Sequence, residues 1–210
     1  MSQRIAIIDY GMGNLHSVAK AVEHVATTGD QVKVTNDAKF IQNADRIVFP
    51  GQGAARDCMA AINLQVRDVV LQAIATKPFL GICMGLQVLM EYSEENGGTL
   101  LLNQLAGKVR FFGHRQTTTG QLLKIPHMGW NQVQQVHSHP LWNAIPNCTR
   151  FYFVHSYYVD PQDTNLIAGT TDYGINFTSA LAVNNLFAVQ FHPEKSAKYG
   201  LQLLRNFLNW

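Results

Sequence analysis

Cys83 and His192 are the residues whose surroundings most clearly suggest chemistry. Cys83 stands at the centre of Gly81-Ile82-Cys83-Met84-Gly85, a glycine-flanked nucleophile at an expected strand-to-helix turn. Small neighbours let the chain turn sharply, so the nucleophile stands exposed above the sheet. The helix N-terminus beyond it favours thiolate over thiol, and the N–H of Met84 can point at an oxyanion. An isolated cysteine after a core strand is also a common packing residue. His192-Pro193-Glu194 tips the balance. It follows the apolar run Phe187-Ala188-Val189-Gln190-Phe191 and so emerges from a strand end. A cysteine nucleophile needs a base, and the base needs an orienting carboxylate. Pro193 stiffens the turn, so Glu194 can return to the same imidazole. The expected catalytic set is Cys83, His192 and Glu194.

Other residues carry weaker signals. Pro50-Gly51-Gln52-Gly53 follows an expected strand, so its backbone can approach a substrate and donate a second oxyanion N–H. Gly11-Met12-Gly13 starts like a dinucleotide fingerprint, but His16 occupies the third glycine position, which argues against a cofactor site of that kind. His137 and His139 have no carboxylate or cysteine close in sequence and read as turn residues before Pro140 rather than metal ligands. Cys58 and Cys148 lack an elbow context and read as packing residues. Neither a metal nor a cofactor is expected.

The elements that must position these groups follow a rhythm. Apolar strand-like runs at 5–9, 31–35, 46–49 and 79–83 alternate with helical stripes. One helix is expected to start near Asn14 and stop at Gly29, another to cover 66–75, and a third 85–95 beyond the elbow. This order implies βαβ units and a parallel sheet covered on both faces. The second half reads as strands at 109–112, 131–136, 150–159, 166–170, 180–183 and 187–191, closed by a helix over 198–208. The expected fold class is α/β, a mostly parallel sheet with helices on both faces and extra antiparallel strands in the second half. No internal repeat, low-complexity tract or linker divides the 210 residues, so 1–210 reads as one domain.

Composition narrows the function classes. A chain with 47% hydrophobic and 14% charged residues is far from disorder. A net charge of +2, with no basic run, offers no reason to expect nucleic acid or an anionic membrane as partner. Apolar runs are too short for a membrane-spanning helix, and the opening residues read as a strand rather than a signal peptide. Three cysteines without C-x-x-C spacing argue against a disulfide framework, so the expected compartment is the reducing cytoplasm.

G-I-C-M-G, P-G-Q-G and F-H-P-E-K together resemble the triad-type glutamine amidotransferases. Further motifs run along the whole chain: Asp9-Tyr10-Gly11-Met12-Gly13-Asn14-Leu15, Ile125-Pro126-His127-Met128-Gly129-Trp130-Asn131 and Tyr152-Phe153-Val154-His155-Ser156-Tyr157. With these the sequence is similar to the glutaminase subunits of imidazole glycerol phosphate synthase, of histidine biosynthesis. The resemblance implies a flavodoxin-like fold. It also implies that Cys83 attacks the glutamine side-chain amide, with His192 as base then acid and Glu194 orienting it. Met84 and the loop Gly51, Gln52 and Gly53 would hold the oxyanion; Gln87, His155, Ser156 and Tyr157 would bind glutamine. Asn14, Trp130, Tyr152 and Lys195 match positions toward a partner. That partner would be a (β/α)8-barrel cyclase acting on a phosphoribulosyl formimino-carboxamide nucleotide, in a heterodimer. Gln52 departs from the smaller residue expected in its loop, and Met84 and Leu86 exchange the more common Leu and Met.

A partner is also expected on simpler grounds, since a chain used up by one glutaminase fold has no residues left for an acceptor substrate. Three rival readings stand beside this one. They are the glutaminase of another synthase, such as anthranilate or aminodeoxychorismate synthase, a peptidase or γ-glutamyl hydrolase with the same elbow, and a non-catalytic subunit.

Overall fold

The computed structural model describes residues 2–113 and 122–210. In the first half, β1 (Arg4–Ile8), α1 (Leu15–Val25), β2 (Gln31–Thr35), α2 (Ala38–Gln42), β3 (Arg46–Gly51), α3 (Ala55–Gln65), α4 (Arg67–Thr76), β4 (Phe79–Cys83) and α5 (Met84–Gln87) follow one another. Strands dominate the rest: β5 (Tyr92–Ser93), β6 (Thr99–Leu100), β7 (Gly107–Phe111), β8 (His127–Gln135), β9 (Thr149–His155), β10 (Tyr157–Pro161), β11 (Ile167–Asp172), β12 (Asn176–Val183) and β13 (Leu186–Val189), before α6 (Ala197–Leu208).

The parallel core has the order β2-β1-β3-β4-β13. Its inner strands β1, β3, β4 and β13 are almost wholly apolar because both faces are covered, whereas the edge strand β2 carries Gln31, Lys33 and Thr35. Alternate residues of β1 divide between two cores. Ile5 and Ile7 join α1 and α6 through Val18, Val22, Leu204 and Phe207, while Ala6 and Ile8 join α3 and α4 through Ile62 and Val70. β12 then pairs antiparallel with β13, and the sheet forks there. One branch continues through β10 and β7 to β5 and β6; the other runs through β11 and β8 to β9. The expected α/β architecture is the observed one.

Four local expectations need correction. The helix expected over 85–95 is the single turn α5. Residues 102–105 stop it by donating to the carbonyls of Val88, Leu89 and Met90, which a longer helix would need for itself. The strand expected over 150–159 is two, because the chain crosses at Ser156 from the β8–β9 branch to the β10–β7 branch. α1 has Asn14 as its cap, but it ends at Val25 with Ala26 extended, before Gly29. Cys58 is buried as expected, whereas Cys148 is exposed and is no packing residue. His139 has a structural role: its Nδ1 accepts from the N–H of Leu141 at 3.2 Å and so caps the short 3-10 helix Pro140–Trp142. Among the described residues, no single helix is long and apolar enough to cross a membrane.

Candidate active site

The elbow is built by close approach of backbones. Cys83 sits at φ 56° and ψ −107°, outside the regions that non-glycine residues favour, and stands opposite Gly51 in the β3–β4 register. A side chain on Gly85 would overlap the carbonyl of Phe49, and one on Gly51 would overlap the hydroxyl of Tyr10 and lie 2.8 Å from Cβ of Met84. Both glycines are therefore required by close packing, Gly85 against β3 and Gly51 against Tyr10 and Met84, rather than by a turn alone. Gly85→Ala should lower stability by about 1–3 kcal/mol, the range for overpacking a well-packed interior, in urea unfolding monitored by fluorescence. An unchanged midpoint would show that β3 yields freely.

His192 is fixed from three sides. Its backbone N–H donates to the carbonyl of Tyr152 on β9 at 2.9 Å. The hydroxyl of Ser196 donates to the carbonyl of His192 at 2.7 Å and accepts from the N–H of Tyr152 at 2.9 Å. The imidazole Nδ1–H donates to Oε1 of Glu194 at 2.7 Å, and both side chains are almost wholly buried. Donation to a carboxylate leaves Nε2 as the nitrogen that handles protons. Burial pushes the imidazole pKa down. The Cys83 sulfur and then the Glu194 carboxylate outweigh it and raise the value to about 10. The imidazolium is thus the favoured form between a sulfur nucleophile and a carboxylate.

A cavity of about 390 Å³ opens over the elbow. Of the residues expected from sequence, Gln52, Gly53, Cys83, Met84, Gln87, His155, Ser156, Tyr157, His192 and Lys195 line it. Gly51 and Glu194 do not, since the first lies behind the cysteine and the second behind the histidine. Asn14, Trp130 and Tyr152 also lie off the cavity, and Asn14 caps α1. Trp130 is 48% exposed, packs edge-on against Tyr152 at 6.2 Å between ring centroids, and has the more exposed Met128 two residues before it on β8. The Lys195 ammonium lies 5.8 Å from the Tyr152 ring centre. The three sit together on one outer surface beside the cavity mouth.

The Gly51–Gly53 loop is held from outside the cavity. The Cys58 thiol, which burial pushes up to about 12 and so keeps protonated, donates to the carbonyl of Gln52 at 3.4 Å. Met12 of the D-Y-G-M-G-N segment abuts Gly53. The chemistry-based reading missed several members of the site. Glu95, Pro126 and Val154 line the cavity without any local motif to announce them. Gln190 is fully buried, with Nε2 3.7 Å from Sγ of Cys83. A polar residue inside the apolar run before His192 was the available signal.

This combination of an α/β core, an elbow cysteine and a buried His–Glu pair at one cavity defines a triad amidotransferase, and residues 6–210 match the family described as glutamine amidotransferase class-I. Solved structures agree on the fold. "Structure of PurLQS from Thermotoga maritima" superposes with a TM-score of 0.72 at 16% identity, covering 100% of this chain and 99% of that one. "Crystal structure of glutamine amidotransferase" gives 0.72 at 14%, covering 98% and 97%. Sequence relatives are more specific. "Imidazole glycerol phosphate synthase subunit HisH" of Pseudomonas syringae pv. syringae (strain B728a) is 55% identical over 209 residues, 99% of this chain and 98% of the relative. The protein of the same name from Nitrosococcus oceani (strain ATCC 19707 / BCRC 17464 / JCM 30415 / NCIMB 11848 / C-107) is 57% identical over 207 residues, 98% and 97% of the two chains. The chain belongs to the HisH family of glutamine amidotransferases.

Proposed function

We propose that this chain is the glutaminase subunit of an imidazole glycerol phosphate synthase. It hydrolyses glutamine to glutamate and ammonia in the cytoplasm and passes the ammonia to a (β/α)8-barrel cyclase partner. The partner uses it to make imidazole glycerol phosphate and aminoimidazole carboxamide ribonucleotide. The observation that carries the reading is the cavity in which Cys83 stands beside His192, with Glu194 directly behind the imidazole.

The Cys83 thiolate attacks the side-chain amide carbon of glutamine, and the oxyanion is met by the N–H of Met84 and an N–H of the Gly51–Gly53 loop. The His192 imidazolium gives its Nε2 proton to the departing nitrogen, which leaves as ammonia, and a γ-glutamyl thioester remains. The neutral imidazole then takes a proton from water as the water attacks the thioester, and glutamate leaves as Cys83 is restored. Glu194 stays ionised throughout and stabilises each imidazolium. Gln87, His155, Ser156 and Tyr157 supply the cavity wall against which the amino-acid end is held. The outer surface of Met128, Trp130, Tyr152 and Lys195 is the docking face, with apolar and aromatic groups suited to an interface core.

Free ammonia is wasted without an acceptor, so the isolated chain is nearly inactive. The switch is the Gly51–Gly53 loop, where a glycine-flanked peptide plane can rotate to aim its N–H at the oxyanion or away. Loss of one such donor costs about 10²–10³ in rate. The loop's contacts with Cys58 and Met12 are the ones such a rotation would have to change. The test is ammonia release from glutamine with and without the cyclase partner and its nucleotide. We expect kcat to rise at least about a hundredfold when both are present. Equal rates would remove the switch, and no glutaminase activity in any condition would remove the reading.

A further inference from the structure

We propose that Gln190 is a further catalytic residue, whose side-chain amide donates a hydrogen bond to the sulfur of Cys83. This inference rests on Cys83 being the nucleophile. The polarity of the amide is dictated by its neighbours. The backbone carbonyl of Tyr157 can only accept, so the atom of Gln87 that lies 3.1 Å from it is Nε2. That same Nε2 reaches Oε1 of Gln190 at 2.9 Å. The oxygen of Gln190 therefore faces Gln87, and its NH2 faces Cys83, 3.7 Å from Sγ and within range for a sulfur acceptor. Gln190 is fully buried and, one residue past the end of β13, its backbone N–H donates to the carbonyl of Ser179 at 2.9 Å, so the side chain starts from a fixed backbone position.

A second set of bonds fixes the anchor. The Tyr157 carbonyl also accepts from Nδ1–H of His155 at 2.7 Å. His155 Nε2 is left as the acceptor for Nδ1–H of His127 at 2.9 Å, and His127 Nε2 accepts from Asn131 at 3.2 Å. Burial lowers the two imidazoles, to about 4 for His127 and about 3 for His155, so both stay neutral and the direction of the bonds holds across the working pH range. The H-M-G-W-N and Y-F-V-H-S-Y motifs thus hold the carbonyl that orients Gln87, which orients Gln190, which donates to the nucleophile. Glutamine binding beside Gln87 and activation of Cys83 share one chain of bonds.

A donor to sulfur favours thiolate, because the hydrogen bond is stronger to the charged form. The titratable groups around Cys83 are the His192–Glu194 pair, Tyr10 and Cys58 beneath it, and His155, Tyr157, Glu95 and Lys195 on the cavity wall. Gln190→Met keeps the volume and leaves all of them in place while removing the donor. The experiment is the pH dependence of iodoacetamide alkylation on the full chain, read by mass spectrometry at the Cys83 peptide. The exposed Cys148 serves as internal reference.

Gln190→Met should move the Cys83 midpoint up by about one pH unit, with kcat lowered more than KM and the Cys148 curve unmoved. Gln190→Glu, which sets a carboxylate there, should move it further. If neither variant folds, Gln87→Met leaves Gln190 in place but frees its amide to turn, and the same upward shift is expected. An unmoved Cys83 midpoint in folded variants overturns the proposal. The underlying reading fails separately, if Cys83 proves no more reactive than Cys148 and glutamine hydrolysis survives without it.

Discussion

Cys83→Ala should abolish glutamine-dependent synthesis while the complex retains its reaction with added ammonium salts. The thiolate is needed only to split the amide, and the acceptor chemistry belongs to the partner. Removing a nucleophile that acts as one unit with its base typically costs upwards of about 10⁴ in kcat. The fold should tolerate the change, since alanine is smaller and the elbow is held by Gly85 against Phe49 rather than by the sulfur. The decisive comparison is product formation by the reconstituted complex from glutamine and from ammonium, side by side. Glutamine-driven turnover within about tenfold of wild type, a barrier change of only about 1.4 kcal/mol, would sink the assignment of Cys83. Loss of both activities would point instead to a broken interface.

Glu194→Gln should lower kcat by about 10²–10⁴ and leave the glutamine KM little changed. The carboxylate touches the imidazole, at 2.7 Å, and is not part of the cavity wall. Its charge is one of the causes that lift His192 to about 10. Replacing it with a neutral amide lowers the imidazole pKa, so the imidazolium is lost at lower pH and any alkaline limb governed by it moves toward neutrality. Steady-state kinetics over pH would show both effects. A change confined to KM would mean that Glu194 binds substrate, and the triad would have to be redrawn.

Where chemistry imposes local sequence, the site was legible. The glycines at 81 and 85 are demanded by backbones in contact, and the two-residue spacing of His192 and Glu194 is what a short stiff turn requires. Strands β2 and β4 fell on their expected residues for different reasons: β4 is buried on both faces and apolar without interruption, while the edge strand β2 alternates valine with polar residues. What stayed hidden depends on partners distant in sequence. α3 has no capping side chain of its own; the N–H of Ala55 is satisfied by Glu95 at 2.7 Å, forty residues on. The elbow helix is cut short by residues 102–105, and no breaker marks that point. Gln190 was visible as a polar residue inside the apolar run 187–191, but its role follows only from where Gln87 and Tyr157 lie.

The attachment of the His192 turn to β9 bears on how this chain tolerates change. The nucleophile rides on the parallel core, whereas the base is tied through the Tyr152 backbone and the Ser196 hydroxyl to a strand of the other branch. The imidazole, three residues beyond β13, is thus held both by the strand next to the nucleophile and by β9, and the gap between sulfur and imidazole depends on the two supports together, as between a lock's bolt and its strike plate. A shift of about 1 Å in such a gap is enough to cost about a hundredfold in rate. Substitutions on the outer side of β9 that touch no reacting atom can spoil the fit by that route. The same dependence on β9 gives evolution a means of tuning idle turnover without altering a single catalytic side chain.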